Sequence, residues 1–156
     1  MNSSSDGFQI QITRQLDVDA GTAYSKLVEE FSMWYDASHS YSGEAANLSL
    51  DLEEKCMLER LPDGGYVRHM EIVFHQPGKV FRMTGGLGPL QGMGVTGALT
   101  YEFVEGDEGT EVKMTYNVSG ASSLQLDAIA VPVNQVLGLQ MDRFANHCNN
   151  DEGQSP

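Results

Sequence analysis

Between two strand-like segments, Val80 to Thr84 and Val95 to Val104, the chain reads Gly85-Gly86-Leu87-Gly88-Pro89-Leu90-Gln91-Gly92-Met93-Gly94. This connection, the glycine-rich loop, is too long for a tight turn, and its glycines allow backbone angles that other residues rarely adopt. Loops of this kind often carry function because a rigid scaffold holds them at the surface. We therefore predict that the loop forms a mobile lid over the mouth of a pocket, beside Trp34.

Polar and apolar residues alternate on both sides of the loop, and this alternation predicts strands. A first strand begins at Phe8, and two short helical segments lie between Asp19 and Ser40. Trp34 and Tyr35 in the second segment either form one wall of a pocket entrance or pack the helices against the sheet. Turn signals then separate about six antiparallel strands, at Pro62 to Gly65, Gln76 to Lys79 and Gly106 to Gly109.

The C-terminal part predicts one long helix, from Ser122 or Ser123 to about His147. Pro132 either kinks this helix or marks the first turn of its main segment. Apolar residues recur at helical spacing and predict one buried face. That face carries Ile129, Val133, Val136, Leu137, Gln140 and Phe144, with Met141 at its edge.

The order strand, two short helices, strands and long helix resembles the helix-grip fold of the START-like or SRPBCC superfamily. The most specific strings are Cys56 to Gly65, Val67-Arg68-His69, Pro77-Gly78-Lys79 and Gly85 to Leu90. They resemble a largely uncharacterised bacterial branch of the superfamily. The resemblance implies an α+β fold, with a curved antiparallel sheet of about seven strands wrapped around the C-terminal helix. It also implies a cavity between sheet and helix, and a single ligand-binding domain over residues 8–147 with flexible tails at 1–7 and 148–156.

Charge and composition narrow the classes of partner. The 156 residues include 9 basic and 22 acidic side chains, for a net charge of −13. This balance argues against nucleic acid and anionic membranes, both of which need a basic face. No apolar run is long enough to span a bilayer, and the N-terminus shows no export signal. The two cysteines, Cys56 in a strand and Cys148 in the polar tail, are too few for a disulfide framework, so we expect a reducing, cytoplasmic compartment. We also expect a monomer.

One predicted strand carries the residue types of a zinc site or an acid–base pair: His69, Glu71 and His75. A turn centred on Pro77-Gly78 would place Phe74 opposite Phe81 on the inward face. The three polar residues would then lie on the solvated face, with Glu71 near Arg82. We therefore expect no metal and no other cofactor.

Arg68 shares the predicted inward face with Met70, opposite Leu58. A buried guanidinium needs a partner, because an unpaired internal charge is costly. The partner is either a ligand or an internal carboxylate, for which the candidates are Glu44, Glu59 and Asp51, unless Arg68 lies at the open end of the sheet.

Tyr101 and Tyr116 fall on the inward faces of the last hairpin, either as ligand anchors or as core tyrosines bonded to backbone. The predicted ligand-binding residues are Trp34, Arg68, Met70, Leu87, Leu90, Tyr101, Phe103, Met114, Tyr116, Leu137 and Met141.

The sequence favours binding of a small hydrophobic or amphipathic molecule, such as a lipid, an aromatic or a polyketide-like compound. Two alternatives stay open. One is an enzyme resembling polyketide cyclases or aromatases, with Arg68 stabilising an enolate and a tyrosine as acid or base. The other is a protein-interaction module, because some relatives resemble activators of a chaperone ATPase. No catalytic motif such as Gly-x-Ser-x-Gly occurs, so we expect binding rather than catalysis.

Overall fold

The computed structural model describes residues 1–154, with side chains described for residues 1–150. One antiparallel sheet of eight strands curves around a long C-terminal helix, which confirms the predicted α+β architecture. The strands are β1 (Asn2–Ser4), β2 (Gly7–Leu16), β3 (Leu48–Asp51), β4 (Cys56–Arg60), β5 (Tyr66–Gln76), β6 (Val80–Thr84), β7 (Thr96–Gly106) and β8 (Gly109–Ser119). The helices are α1 (Ala20–Glu29), α2 (Phe31–Trp34) and α3 (Leu126–Gln154).

The sheet runs in the order β1-β2-β8-β7-β6-β5-β4-β3, so the chain meanders except where β2 joins β8. Alternate residues of β2 and β8 face α3, and Ile10, Val112 and Tyr116 are fully buried there. Asp19 begins α1 by accepting a hydrogen bond at Oδ1 from the Thr22 N–H, at 2.7 Å. The sheet and helices thus share one apolar core.

Both predicted tails take part in the fold. Asn2–Ser4, expected in a flexible tail, pairs with β2 as an edge strand. The long helix does not stop near His147 but continues to Gln154, and Cys148 is only 1% exposed. Its thiol therefore belongs to the core rather than to a polar tail. Of the predicted tail at 148–156, residues 155–156 lie outside the described residues.

The hairpin of β5 and β6 differs from the predicted register. Its loop contains three residues, so that His75 lies opposite Phe81 and Phe74 lies opposite Arg82. A bulge between Ile72 and Phe74 then restores the expected facing of Ile72 and Met83. Because a bulge inserts one residue, it reverses which side chains point inward on one side of it. Phe74 is therefore 40% exposed instead of buried.

A second bulge, between β4 and β5, matters more for function. Met57 lies opposite Met70, and Leu58 lies opposite Arg68, which leaves His69 as the extra residue. The predicted pairing of Leu58 with Arg68 is therefore present, but on the outer face of the sheet. His69 turns inward and is only 4% exposed, so the predictions of an inward Arg68 and an outward His69 were both wrong.

Candidate functional site

A cavity of about 380 Å³ lies between α3, the glycine-rich loop and the segment after α2. Its volume falls within the range of roughly 300–1,000 Å³ typical of small-molecule sites. Most of its wall is apolar. The lining residues are Tyr35, Asp36, His39, Ser40, Leu48, Met57, His69, Leu87, Gly88, Pro89, Leu90, Met93, Ile129, Pro132, Val133, Val136, Leu137 and Gln140.

Helix α3 supplies the longest apolar wall of the cavity. Ile129, Val133 and Val136 are only half-buried, although their spacing places them on the inward face of the helix. Farther along the same face, Phe144 is fully buried against the core. The half-buried residues mark the part of α3 where the sheet leaves a space instead of packing.

The glycine-rich loop closes one side of the cavity with a short 3₁₀ segment, Gly88–Met93, and its Leu90 is 3% exposed. The Tyr116 hydroxyl holds the start of the loop: it accepts a hydrogen bond from the Leu87 N–H at 3.0 Å and donates one to the Gly85 carbonyl at 3.2 Å. Burial raises the pKa of Tyr116 to about 12, so the donor proton is retained. Tyr116 therefore positions the loop that lines the cavity, and it does not itself line the cavity.

Replacing Tyr116 by phenylalanine removes both of these hydrogen bonds. We expect the free energy of unfolding to fall by about 1–2 kcal/mol, since the partly buried Leu87 N–H and Gly85 carbonyl each lose a partner. Chemical denaturation followed by the fluorescence of Trp34, the single tryptophan, measures this change. The matched control is Tyr101→Phe, because the Tyr101 hydroxyl has no hydrogen-bond partner among the described residues. Equal losses in both variants would contradict the anchoring role.

A buried acid–base pair lies at the cavity wall, where His69 is the member that lines the cavity. His69 Nε2 lies 2.8 Å from Glu59 Oε1, and the side chain of Glu59 is 0% exposed. The Glu59 carboxylate also accepts hydrogen bonds from the backbone N–H groups of Tyr41, at 3.3 Å, and Ser42, at 2.7 Å. Tyr41 stacks on the imidazole, with ring centroids 5.9 Å apart. A carboxylate–histidine pair is thus present on the inward face, although His69 was predicted on the solvated face.

The hydrogen bonds around Glu59 control its ionisation. Burial alone would raise the pKa of this carboxyl, but the bonds from Ser42, His69 and Tyr41 outweigh it and lower the pKa from 4.5 to about 2. Glu59 is therefore a carboxylate throughout the neutral range. In contrast, the Nδ1 atom of His69 is closed off from solvent and has no hydrogen-bond partner within residues 1–150.

Glu59 should also make the protein sensitive to acid. Because its folded pKa lies below its unfolded value of 4.5, it contributes stability above about pH 4.5, and that contribution is lost as the pH falls toward 2. We expect the free energy of unfolding to decrease across this interval, measured by urea denaturation at a series of pH values. In Glu59→Gln the decrease should be smaller. Parallel curves for the two proteins would contradict the assignment.

The other polar groups of the cavity wall are largely occupied by the protein itself. Gln140 accepts a hydrogen bond from the Asp36 N–H at 2.8 Å and donates one to the Asp36 carbonyl at 2.9 Å. The Asp36 carboxylate in turn holds Ser38, and the Ser40 hydroxyl donates to the Ala37 carbonyl. These bonds fix the segment after α2 as a wall and leave few groups free for a ligand.

A smaller inner chamber of about 10 Å³ lies beside the cavity, deeper in the core. A space of this size has room for about one water molecule. Burial raises the pKa of Tyr35 and Tyr101 above the usual range, and neither hydroxyl has a hydrogen-bond partner in residues 1–150. The lining residues are Phe31, Tyr35, Met57, Met70, Met83, Leu87, Leu99, Tyr101, Met114, Leu137, Gln140 and Met141.

No protein-family model matches the sequence, and neither does any curated protein. Solved structures do share its fold. SA2116 from Staphylococcus aureus, a protein of unknown function, has a TM-score of 0.65 at 13% identity over 96% of this chain and 98% of its own. CalU16 from Micromonospora echinospora has a TM-score of 0.63 at 14% identity, over 95% and 77%. The di-domain ARO/CYC StfQ of the steffimycin biosynthetic pathway also reaches 0.63, at 11% identity over 96% and 53%.

This chain has a helix-grip fold. Identities this low show the fold alone. Within residues 1–154, no helix of this helix-grip domain is both long and apolar enough to cross a membrane.

The predicted ligand-binding residues form three groups: those that line the cavity, those that line the inner chamber, and those that line neither. Leu87, Leu90 and Leu137 line the cavity. Four more predicted residues line the inner chamber, together with Leu87 and Leu137: Met70, Tyr101, Met114 and Met141. Tyr35, rather than Trp34, forms the wall beside the loop.

Four of the predicted residues line neither space. Trp34 is 2% exposed, and its Nε1 lies 3.4 Å from the Leu27 carbonyl. Phe103 packs against Tyr24, and Tyr116 holds the loop as described. Arg68 lies on the outer face, where its guanidinium donates to Glu71 at 3.1 Å. Its partners are thus surface carboxylates and not the internal candidates.

The three residues considered for a metal site lie apart. His69 pairs with Glu59 inside, whereas Glu71 pairs with Arg68 outside. His75 Nδ1 lies 2.5 Å from the Tyr24 hydroxyl. The side chains described for this helix-grip domain contain no group of three or more ligands suited to a metal ion.

Proposed function

We propose that the protein binds a small hydrophobic or amphipathic molecule in the cavity between the sheet and α3. The observation that carries this proposal is the cavity itself, about 380 Å³ in volume and with a mostly apolar wall. Burial of apolar ligand surface would supply most of the affinity, at about 25 cal/mol per Å² before ordering costs. The half-buried valines and isoleucine of α3 would gain the contacts that the sheet does not give them.

The size of the cavity favours a compact ligand. Its volume lies near the lower end of the range of roughly 300–1,000 Å³ for small-molecule sites. A fused aromatic or a short-chain polyketide-like compound fits this space better than a lipid with two long chains. We also propose membership of the START-like or SRPBCC superfamily, which the likeness to StfQ and CalU16 supports.

Titration with N-phenyl-1-naphthylamine, an uncharged fluorescent probe of two aromatic units, tests the proposal. We expect a saturable rise in fluorescence at a stoichiometry of one probe per chain. Native mass spectrometry of the freshly purified protein should complement it by showing any small molecule that co-purifies. Non-saturable fluorescence, equal to that given by a protein without a cavity, would contradict the proposal.

A second candidate is an enzyme of the cyclase or aromatase type, and the Glu59–His69 pair in the cavity wall favours it. A histidine held by a carboxylate is a general base, which such chemistry uses to remove a proton beside a carbonyl. Arg68 has no part in it, because the guanidinium lies outside the cavity. Cyclisation of a short poly-β-keto thioester by the wild-type protein, lost in His69→Phe, would support this candidate. Turnover that persists in His69→Phe would exclude the pair as its base.

A further inference from the structure

The Nδ1 atom of His69 has no partner although the residue lines the cavity and is only 4% exposed. A buried polar atom without a hydrogen bond is costly, and each such atom in a folded protein requires an explanation. The imidazole is held in place on its other edge by Glu59 and across its face by Tyr41. The free edge of a fixed imidazole is therefore a polar feature that the protein itself does not use.

The neighbours of Glu59 determine which imidazole nitrogen carries the proton. Its carboxylate already accepts the N–H groups of Tyr41 and Ser42, and it presents no proton to His69. The His69 Nε2 atom must therefore be the donor in the 2.8 Å contact. In a neutral imidazole the second nitrogen is then a bare acceptor. In this neutral form of His69, Nδ1 can be satisfied only by a hydrogen-bond donor.

The carboxylates at the cavity disfavour an anionic group at Nδ1, although the exposed imidazole of His39 also lines the cavity. Glu59 is a fully buried carboxylate next to the imidazole, and Asp36 also lines the cavity. A ligand carboxylate would be repelled by both, and it has no proton to give. Gln140 is already bonded at both ends of its amide to Asp36, so it does not compete for the ligand. An uncharged hydroxyl on an apolar skeleton matches this combination of groups.

We propose that the ligand of this cavity carries a hydroxyl group, phenolic or alcoholic, that donates a hydrogen bond to Nδ1 of His69. The inference rests on the proposed binding function and specifies its ligand class. Nδ1 is closed off from solvent, so binding requires a small movement of the wall around it.

Two probes with the same ring system test the hydroxyl assignment: 1-naphthol, which can donate a hydrogen bond, and 1-methoxynaphthalene, which cannot. In calorimetric titrations of the wild-type protein, we expect 1-naphthol to bind about tenfold more tightly, as for one hydrogen bond to a buried acceptor. In His69→Phe the ratio of the two affinities should fall to about the ratio of the two probes' partition coefficients between water and an apolar solvent. The control, His75→Phe, changes an exposed histidine outside the cavity and should keep the wild-type ratio.

A second measurement needs no variant and so does not depend on whether His69→Phe folds. Two-bond ¹H–¹⁵N spectra of the wild-type protein should show His69 as the Nε2–H tautomer. The Nδ1 resonance should move on addition of 1-naphthol and stay in place on addition of 1-methoxynaphthalene. An Nδ1–H tautomer, or an unmoved Nδ1 resonance at saturation, would overturn the proposal.

The outcomes separate this inference from the function on which it rests. Binding of both probes with a ratio that His69→Phe leaves unchanged would overturn the hydroxyl assignment alone, and the cavity would remain a site for apolar molecules. Failure of both naphthalenes and of N-phenyl-1-naphthylamine to bind would overturn both proposals together. A wild-type ratio near tenfold that His69→Phe removes and His75→Phe retains would support both.

Discussion

Replacing Val133 by tryptophan should lower the affinity for N-phenyl-1-naphthylamine by about 100-fold, equivalent to about 2.7 kcal/mol. Val133 is half-buried and lines the cavity, so the added indole would occupy space that the probe needs. The protein should still fold, because the indole enters an existing space rather than a packed core. Fluorescence titration gives the affinity, and thermal unfolding followed by circular dichroism gives the stability.

The matched control for this change is Val131→Trp. Val131 lies two positions earlier in α3 but is 51% exposed and absent from the cavity wall. The Val131→Trp change should leave both the affinity for the probe and the thermal stability close to the wild-type values. Wild-type affinity in Val133→Trp, with the variant folded, would show that the probe binds somewhere else.

Glu59→Gln should produce the largest loss of stability, with the free energy of unfolding reduced by about 3 kcal/mol. The change keeps the shape of the side chain but removes the charge that holds three donors: His69 Nε2 and the N–H groups of Tyr41 and Ser42. The amide also turns one acceptor into a donor, which would face another donor in a fully buried position. Urea denaturation at pH 7 measures the difference.

Glu54→Gln provides the comparison on the surface. The Glu54 carboxylate lies 3.8 Å from Arg68, and its side chain is 64% exposed. Exposed ion pairs of this kind contribute about 0–1 kcal/mol, so this variant should lose little. If Glu59→Gln cost no more than Glu54→Gln, the Glu59–His69 pair would not be a structural element of the cavity.

Much of the fold could be predicted because the spacing of apolar residues indicates which side chains are buried. The apolar face from Ile129 to Phe144 predicted both the long helix and the side that meets the sheet, and the glycine-rich loop was correctly placed between β6 and β7. Leu87, Leu90 and Leu137 follow from these two patterns. The position of each of these leucines follows from the helix or loop that carries it and does not depend on how the strands pair.

The Glu59–His69 pair could not be predicted in the same way. Strict alternation places His69 and Glu71 on one face and Arg68 with Met70 on the other, and a single bulged residue reverses this for His69 and Arg68. A bulge depends on the pairing of two strands, and nothing in the local pattern of β5 marks it. From the sequence, Glu59 was expected only as a candidate partner of Arg68. One available signal was that Glu59 alternates with Met57, on the face that opposes Leu48 and Leu50.

The edges of the domain were missed for a related reason. Asn2–Ser4 is polar, and all three residues are exposed, so no apolar pattern distinguishes this edge strand from a tail. Its place in the sheet comes from backbone pairing with β2. Cys148 lies one turn beyond Phe144 and Ala145 on the buried face of α3. Because its neighbours in sequence are polar, the apolar pattern did not show that this buried face extends to Cys148.

Methyl NMR of the protein labelled at methionine and isoleucine tests the central claim, a binding site between the sheet and α3. On titration with N-phenyl-1-naphthylamine, the methyl signals of Met57, Met93 and Ile129 should shift together and saturate, because all three residues line the cavity. The signal of Met33, which is 65% exposed on α2, should stay in place. Saturable shifts at Met33 with none at Met57, Met93 and Ile129 would contradict the account.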